Sequence, residues 1–156
     1  MNPESVIKIL NEKKLSISTA ESCTGGMIGS LLTSVSGASE VYGYGFITYA
    51  NEAKENILGV KKDTLIKYGA VSEQTAREMA LGALNVSNSD IAISVTGIAG
   101  PGGGTKEKPV GLVYTAVATK KGVNVKKLLL KGTRDEVRAQ TCESVFADII
   151  ECAKNL

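Results

Sequence analysis

The apolar residues of this 156-residue chain switch repeatedly between helical spacing and strand-like alternation. No linker, low-complexity segment or internal repeat interrupts that pattern. Because strands and helices that alternate along a chain bury their apolar faces against one another, the pattern predicts an α/β fold. A chain of this length buries roughly 70% of its unfolded surface, which is enough for a core without disulfide or metal staples. We therefore expect residues 1–156 to form a single domain.

Caps, glycines and changes of period bound the predicted elements. Helices are expected at 3–13, from Met27 onward, at 51–58 with Asn51 as its cap, at 64–68, at 72–86, and from a Thr133/Glu136 capping box to an apolar stripe that ends at Leu156. Strands are expected at 15–20, 41–50, 90–97, 109–119 and 123–131. The last two strands are predicted to form a hairpin, whereas the others need crossovers, so the sheet should be mixed. The predicted architecture is a three-layer α/β/α sandwich.

Charge and cysteine content limit the partners and the location. The net charge is +2, and the lysines are dispersed in pairs without a basic stripe, so nucleic-acid binding is not indicated. The N-terminal residues carry charges between their apolar positions, and the uncharged stretch 22–39 is rich in Gly, Ser and Thr; neither pattern predicts a signal peptide or a membrane span. The three cysteines lack CxxC spacing, which favours a reducing compartment and disfavours a structural metal site. We expect a cytoplasmic protein that binds neither membrane nor nucleic acid.

The sequence contains no histidine. This excludes Ser-His-Asp and Cys-His mechanisms and every zinc site with histidine ligands. It also removes the side chain whose ordinary pKa best suits a general base near neutral pH. If the protein is an enzyme, another group must move protons.

The first candidate site is the run Glu-Ser-Cys-Thr-Gly-Gly, between a predicted strand and a predicted helix. Ser22 and Cys23 lie at the strand end, and Gly25 and Gly26 allow a ligand to approach the backbone. Amides at the helix start would suit a phosphate or a developing oxyanion. The alternative is a tight turn without function, and the glycine spacing does not fit a dinucleotide-binding motif. Without a histidine partner, Cys23 is expected to be a small buried residue.

The second candidate pairs Tyr49 and Lys54 with Ser22. A serine hydroxyl needs a base to become a nucleophile, and a buried lysine with a lowered pKa could be that base. Glu40 is the only charged residue between Ser22 and Asn51, so the surroundings of Lys54 could be apolar. Tyr49 could relay a proton or hold the lysine by a hydrogen bond. The alternatives are a solvated lysine on a short helix and a short-chain dehydrogenase, whose tyrosine–lysine spacing is one residue shorter.

The third candidate is the run TGIAGPGGGTKEKPVG, which has five glycines from Gly97 to Gly104. Successive amides in such a loop can form an anion-binding nest, with Thr96 and Lys108 among the further donors. No GK[ST] follows the glycines, so this is not a Walker loop, and a plain surface loop is the alternative. Arg134 could form a bidentate contact with phosphate. Arg138, one turn later, could do the same or form a surface salt bridge.

The runs TAESCTGGMIGSLLTSVSGAS, YGFITYANEAKENILGV, VTGIAGPGGGTKEKPVGLVY and KGTRDEVRAQT resemble the C-terminal domain family of the competence/damage-inducible protein CinA, which includes stand-alone nicotinamide-nucleotide amidases. The resemblance extends from about residue 5 to the end, and the combination of ESCTGG with TGIAGPGGG is specific. Thr133 stands where the family usually has aspartate, which affects only the local cap. Larger members carry an N-terminal domain that resembles molybdopterin-binding proteins, and we expect this chain to lack that domain and its activities.

The resemblance implies hydrolysis of the carboxamide of nicotinamide mononucleotide to nicotinate mononucleotide and ammonia, without cofactor or metal. Ser22 matches the nucleophile, Lys54 the base and Tyr49 the assisting tyrosine. The other matched positions would bind the substrate or its oxyanion: Cys23, Thr24, Gly25, Gly26, Thr96, Gly97, Gly100, Gly102, Gly103 and Arg134. Family members commonly form homo-oligomers, so one is expected here. Two alternatives stay open: a non-catalytic nucleotide-binding module, and an interaction protein for competence or DNA-damage partners.

Overall fold

The computed structural model describes residues 2–156, which fold into a five-stranded sheet flanked by helices. The helices are α1 (Pro3–Lys13), α2 (Met27–Thr33), α3 (Asn51–Leu58), α4 (Lys62–Tyr68), α5 (Glu73–Ser87) and α6 (Arg134–Lys154). The strands are β1 (Ile17–Glu21), β2 (Tyr42–Ile47), β3 (Ile91–Gly97), β4 (Leu112–Thr119) and β5 (Gly122–Leu129), and a short 3-10 helix, Ala38–Glu40, precedes β2.

The sheet is mixed, with the strand order β2-β1-β3-β4-β5. β1 lies parallel to both β2 and β3, whereas β4 pairs antiparallel with β3 and with β5. The predicted mixed sheet and its hairpin are therefore confirmed. Because β1, β2 and β3 are parallel, their carboxyl ends meet at one edge of the sheet, where ligands of open α/β folds bind. The segments that begin at Ser22, Thr48 and Ile98 are thereby brought together.

Apolar side chains on both faces of the sheet attach two helical layers, as the three-layer prediction requires. On one face, α1, α2 and α6 pack against β1 and β3 through side chains that include Val6, Leu10, Ile28, Leu32, Val145 and Ile149 over Ile17, Ile91 and Ile93. On the other face, α3, α4 and α5 bury Leu58, Leu65, Met79 and Ala83 over Ala20 and Ala92. Each large aliphatic side chain buried in this way contributes about 1.5–3 kcal/mol.

Two predicted helix ends are wrong. Asn51 does not cap α3: it is the first helical residue, and Ala50 at the cap position offers no side-chain hydrogen bond. α6 ends at Lys154, so Leu156 lies beyond the apolar stripe and is exposed. Within residues 2–156 no helix combines the length and the apolar character needed to cross a membrane.

Several strand ends differ from the prediction, and the two largest differences lie beside the same sheet edge. β2 ends at Ile47 instead of residue 50, because the carbonyls of Thr48 and Tyr49 turn toward a side chain of α3. β4 starts at Leu112 instead of residue 109, because Gly111 has a φ of 93° and its amide donates to the Ile98 carbonyl. Both chain reversals shape the edge at which the parallel strands end.

Candidate active site

A cavity of about 290 Å³ lies at the carboxyl ends of the three parallel strands. It is lined by Ser22, Cys23, Tyr49, Lys54, Ala70, Val71, Thr96, Gly97, Ile98, Ala99, Gly100, Gly102, Gly103 and Arg134. Its volume is near the lower end for small-molecule sites. All three segments predicted from the sequence thus contribute to one cavity. A wider groove of about 660 Å³, between β4, β5 and α6, is lined by none of the predicted site residues.

Ser22 is held in the sharp turn that joins β1 to α2. Its amide donates to the Val95 carbonyl of β3 at 3.0 Å, and its own carbonyl accepts from the Gly25 amide at 3.0 Å. Gly25 and Gly26 have φ values of 57° and 101°, which favour glycine and allow the chain to reverse before α2. Ser22 is therefore nearly buried but faces the cavity.

Lys54 on α3 is the predicted base, and its side chain is only 1% exposed. Its Nζ lies 3.1 Å from Ser22 Oγ, 2.7 Å from the Thr48 carbonyl oxygen and 3.2 Å from the Tyr49 carbonyl oxygen. Burial lowers the pKa of Lys54 because it penalises the ammonium form. A neutral amine has two N–H donors and one lone pair, so donation to both carbonyls would leave the lone pair for the Ser22 hydroxyl.

Glu21 was not predicted as a site residue, yet its carboxylate organises the turn. It is 1% exposed, and Oε1 accepts from Thr24 Oγ1 at 2.7 Å and from the Ile28 amide at 2.9 Å. Oε2 accepts from the Gly29 amide at 3.0 Å. The expectation that these amides of α2 are free for a phosphate or an oxyanion is therefore wrong, since a buried carboxylate already occupies them. The sequence signal was an acidic residue at the end of a buried strand.

Tyr49 and Arg134 meet at the mouth of the cavity. The Tyr49 side chain is 61% exposed, and its hydroxyl accepts from Arg134 Nη2 at 3.1 Å. Arg134 Nη1 also donates to the Gly100 carbonyl at 2.7 Å. Tyr49 bonds Lys54 through its backbone carbonyl, a contact that does not depend on the tyrosine side chain, whereas its hydroxyl is bonded to the arginine.

The glycine loop forms the opposite wall. Thr96 is buried, and its hydroxyl donates to the Ala70 carbonyl at 2.7 Å. A side chain at Gly97 would come within 2.7 Å of Val113 on β4, so packing requires glycine there, whereas Gly102 faces open space. Gly97, Gly100, Gly102 and Gly103 all line the cavity. Lys108 points elsewhere, because its Nζ donates to the carbonyl of Tyr68 at the end of α4.

The remaining turn residues have structural partners. Cys23 is buried, as predicted, and burial raises the pKa of its thiol to about 11, so it is protonated near neutral pH. Thr24, Gly25 and Gly26, predicted to bind the substrate, do not line the cavity, and only Ser22 and Cys23 of this turn do. Arg138 contacts the turn itself, through the carbonyls of Cys23 and Thr24. The sequence offered only its four-residue spacing from Arg134 as a signal.

Within residues 2–156 no group of three or more His, Cys, Asp or Glu side chains is placed to hold a metal ion. The cavity is lined by hydroxyl, thiol, amine and guanidinium side chains together with backbone groups. A hydroxyl next to a buried amine can form and release a covalent intermediate.

Comparison with known proteins gives one family. Residues 2–153 match the family model of the CinA C-terminal domain. A competence-damage inducible protein of Clostridium beijerinckii is 59% identical over 137 residues, which are 88% of this chain and 33% of that protein. One of Thermoanaerobacter pseudethanolicus is 56% identical over 138 residues, again 88% of this chain and 33% of the relative. The chain thus spans about a third of the length of these curated relatives.

Solved structures agree over almost the whole chain. The competence/damage inducible protein CihA from Agrobacterium tumefaciens superposes with a TM-score of 0.93 at 45% identity, covering 96% of this chain and 92% of that one. A CinA superfamily protein from Klebsiella pneumoniae superposes with a TM-score of 0.95 at 32% identity, covering 99% of this chain and 96% of that one.

Proposed function

We propose that this chain, which belongs to the family of CinA C-terminal domains, is an amidase that hydrolyses the carboxamide of nicotinamide mononucleotide. The observation that carries the proposal is the buried Lys54 Nζ at 3.1 Å from Ser22 Oγ, at the wall of a ligand-sized cavity. A serine beside a buried amine can be activated without histidine. The substrate class follows from the resemblance of ESCTGG and TGIAGPGGG to nicotinamide-nucleotide amidases.

In the proposed mechanism, neutral Lys54 takes the proton of Ser22 as Oγ attacks the carboxamide carbon. Backbone amides of the turn after Ser22 stabilise the oxyanion. The carbon–nitrogen bond then breaks, and ammonia leaves with the proton that Lys54 returns. Water attacks the resulting ester, Lys54 takes a proton from that water and passes it to Ser22 Oγ, and nicotinate mononucleotide is released. The protons balance over the cycle, and the steps use no metal or cofactor.

The groups at the cavity mouth suit the rest of this substrate. Arg134 offers a guanidinium that can bind a phosphate in bidentate fashion. The exposed Tyr49 ring offers a face to the cationic pyridinium, which aromatic rings attract. In this proposal Tyr49 also assists proton movement at the mouth. The glycine wall leaves room for the ribose.

In this proposal residues 1–156 form one amidohydrolase domain. The curated relatives are about three times as long as this chain, so the proposed activity is assigned to this domain alone. We further propose that it acts in the cytoplasm on pyridine nucleotides, as a homo-oligomer. Neither membrane nor nucleic acid has a part in this chemistry.

Ammonia release from nicotinamide mononucleotide by the purified chain tests the function. Ser22→Ala should lower the rate at least about 10³-fold, since covalent catalysis is abolished. Ser30→Ala, an exposed serine on α2, is the matched control and should keep the wild-type rate. Equal rates for Ser22→Ala and the wild type would contradict the proposal. Nucleotide binding without any ammonia release would favour the non-catalytic module instead.

A further inference from the structure

We propose that Arg138 is a positioning residue, which holds the backbone amide of Cys23 next to Ser22 by fixing the adjoining peptide plane between Cys23 and Thr24. This inference rests on the serine-dependent function proposed above. Arg138 lies on α6, and its Nε donates to the Cys23 carbonyl at 3.1 Å while its Nη2 donates to the Thr24 carbonyl at 3.0 Å. Its side chain is only 25% exposed, so solvent screens these charged hydrogen bonds weakly.

Three peptide planes connect Ser22 to Gly25, and their carbonyls have different partners. The Ser22 carbonyl accepts from the Gly25 amide at 3.0 Å. The Thr24 carbonyl accepts from the Met27 amide at 2.9 Å as well as from Arg138. The Cys23 carbonyl has Arg138 as its hydrogen-bond donor, with no other donor to it in the part of the chain that the structure describes. Arg138 is thus the group that controls the middle plane.

The orientation of that plane affects the amide that precedes it. The Cα of Cys23 joins it to the plane that carries the Cys23 amide, so holding the Cys23 carbonyl toward α6 restrains that amide as well. The amides of Cys23 and Thr24 donate to no oxygen within residues 2–156. The first amides of α2, by contrast, are occupied by Glu21. Thr24 is fully buried and does not line the cavity, whereas Cys23 does, so the Cys23 amide is the donor that a developing oxyanion would use.

α6 also connects this turn to the other wall of the cavity. Arg134 and Arg138 are four residues apart and therefore lie on the same helical face. Arg134 donates hydrogen bonds to the Gly100 carbonyl and the Tyr49 hydroxyl, and Arg138 donates hydrogen bonds to the turn after Ser22. Asp135 lies 3.8 Å from Arg138 but is 92% exposed, so it screens the arginine little. The guanidinium keeps its positive charge close to the site of oxyanion formation.

A fluorophosphonate reagent tests this positioning without any amide substrate. Ser22 Oγ attacks phosphorus, its proton passes to Lys54, the phosphorus–oxygen bond forms and fluoride leaves. The adduct on Ser22 is quantified by mass spectrometry. The phosphoryl oxygen gains negative charge during this step, so the reaction needs the same backbone amide as amide hydrolysis.

Arg138→Ala should slow this labelling about 10²-fold, as expected when oxyanion donors are misaligned. Guanidinium ion at a sub-denaturing concentration should raise the labelling rate of this variant about tenfold. The ion can fill the space left by the side chain and donate hydrogen bonds to both carbonyls. Arg138→Lys should recover little, since one ammonium cannot reproduce the fork. Arg77→Ala is the matched control: Arg77 donates to the Val123 carbonyl at 3.3 Å, away from the cavity, and its loss should leave labelling unchanged with or without guanidinium.

Arg138→Ala labelled at the wild-type rate would overturn the inference, and so would a loss that guanidinium does not restore. In both cases labelling of the wild type at Ser22 shows that the serine is still a nucleophile, so the amidase proposal survives. A wild type that is neither labelled at Ser22 nor able to release ammonia would overturn the amidase proposal itself.

Discussion

At the scale of single residues, Lys54 is a costly group to bury. A buried ammonium loses its hydration, and this protein compensates with the carbonyls of Thr48 and Tyr49 and the hydroxyl of Ser22. An apolar residue at this position would avoid the cost of burying a charge. A lysine buried beside a serine therefore suggests a functional role for the pair. The lowered pKa of Lys54 has consequences for both activity and stability.

Activity should rise with pH as Lys54 loses its proton. Because burial lowers the pKa of Lys54, the midpoint of kcat/KM against pH should fall below the ordinary lysine value of about 10.4. Lys54→Arg should be inactive at every pH, since arginine stays protonated. The kcat/KM of ammonia release, measured over a pH series, checks this. A flat profile for the wild type would show that Lys54 is not the base.

Stability should depend on pH through the same residue. Between the lowered folded-state pKa and the ordinary value of about 10.4, the unfolded chain binds more protons at Lys54 than the folded chain does. The contribution of Lys54 to the free energy of unfolding therefore increases with pH across that window. Urea denaturation should show the wild type gaining stability relative to Lys54→Met as the pH rises. The exposed Lys8→Met is the control and should show no such trend; a constant difference between wild type and Lys54→Met would contradict the prediction.

The sequence predicted the residues that line the cavity better than the residues that hold them in place. Ser22, Tyr49 and Lys54 were selected by the missing histidine and by the family resemblance, and the structure brings all three to one cavity. The roles of Glu21 and Arg138 were not foreseen. The Arg138 contact joins residues 114 and 115 positions apart, so no local pattern could indicate it.

At the scale of elements, α2 depends on a side chain from the preceding strand. Its cap position is Gly26, which has no side chain to bond the first amides, and Glu21 takes over that role from β1. A carboxylate at this end of a helix also has a favourable interaction with the helix dipole. The strand, the turn and the helix therefore form one rigid unit around Ser22.

Glu21→Gln should loosen this unit. The amide nitrogen cannot accept a hydrogen bond, so one buried donor among Thr24 Oγ1, the Ile28 amide and the Gly29 amide loses its partner. The expected loss in the free energy of unfolding is about 1–3 kcal/mol. Urea denaturation measures it, with the exposed Glu52→Gln in the first turn of α3 as the control. Equal losses for the two variants would argue against the capping role of Glu21.

The packing of α5 against α3 requires a glycine at position 82, in the middle of α5. On helix propensity alone, Gly→Ala should stabilise by up to about 1 kcal/mol. A Cβ at this position, however, would come within 2.9 Å of the Leu58 backbone, at the end of the helix that carries Lys54. Overpacking of this kind typically costs about 1–3 kcal/mol. Gly82→Ala should therefore lower the urea midpoint and slow Ser22 labelling. Gly43→Ala is the control: its Cβ would have no neighbour within 4 Å, so it should change neither quantity. A rise in stability for Gly82→Ala would refute the contact.

At the scale of the whole molecule, the α/β fold followed from the alternation of apolar periods, because each period dictates which face an element buries. The ends of elements were harder to predict. Leu156 continues the helical spacing, yet α6 stops before it, where the chain no longer has a core to cover. β2 ends early because the Thr48 carbonyl accepts a hydrogen bond from Lys54. This is a tertiary contact, which the spacing of apolar residues does not predict.

The cavity draws its walls from both ends of the chain, so it should not unfold separately from the core. α6 supplies Arg134 at the cavity, and the same helix packs on α1 through the core that contains Leu10. In a domain that unfolds as one cooperative unit, loss of Ser22 labelling and loss of helical circular dichroism share one urea midpoint, and we expect that result here. Leu10→Ala, which truncates a fully buried side chain that does not line the cavity, should cost about 2–5 kcal/mol and shift both midpoints equally. Labelling that disappears at a lower urea concentration than the helical signal would show that the site opens by itself.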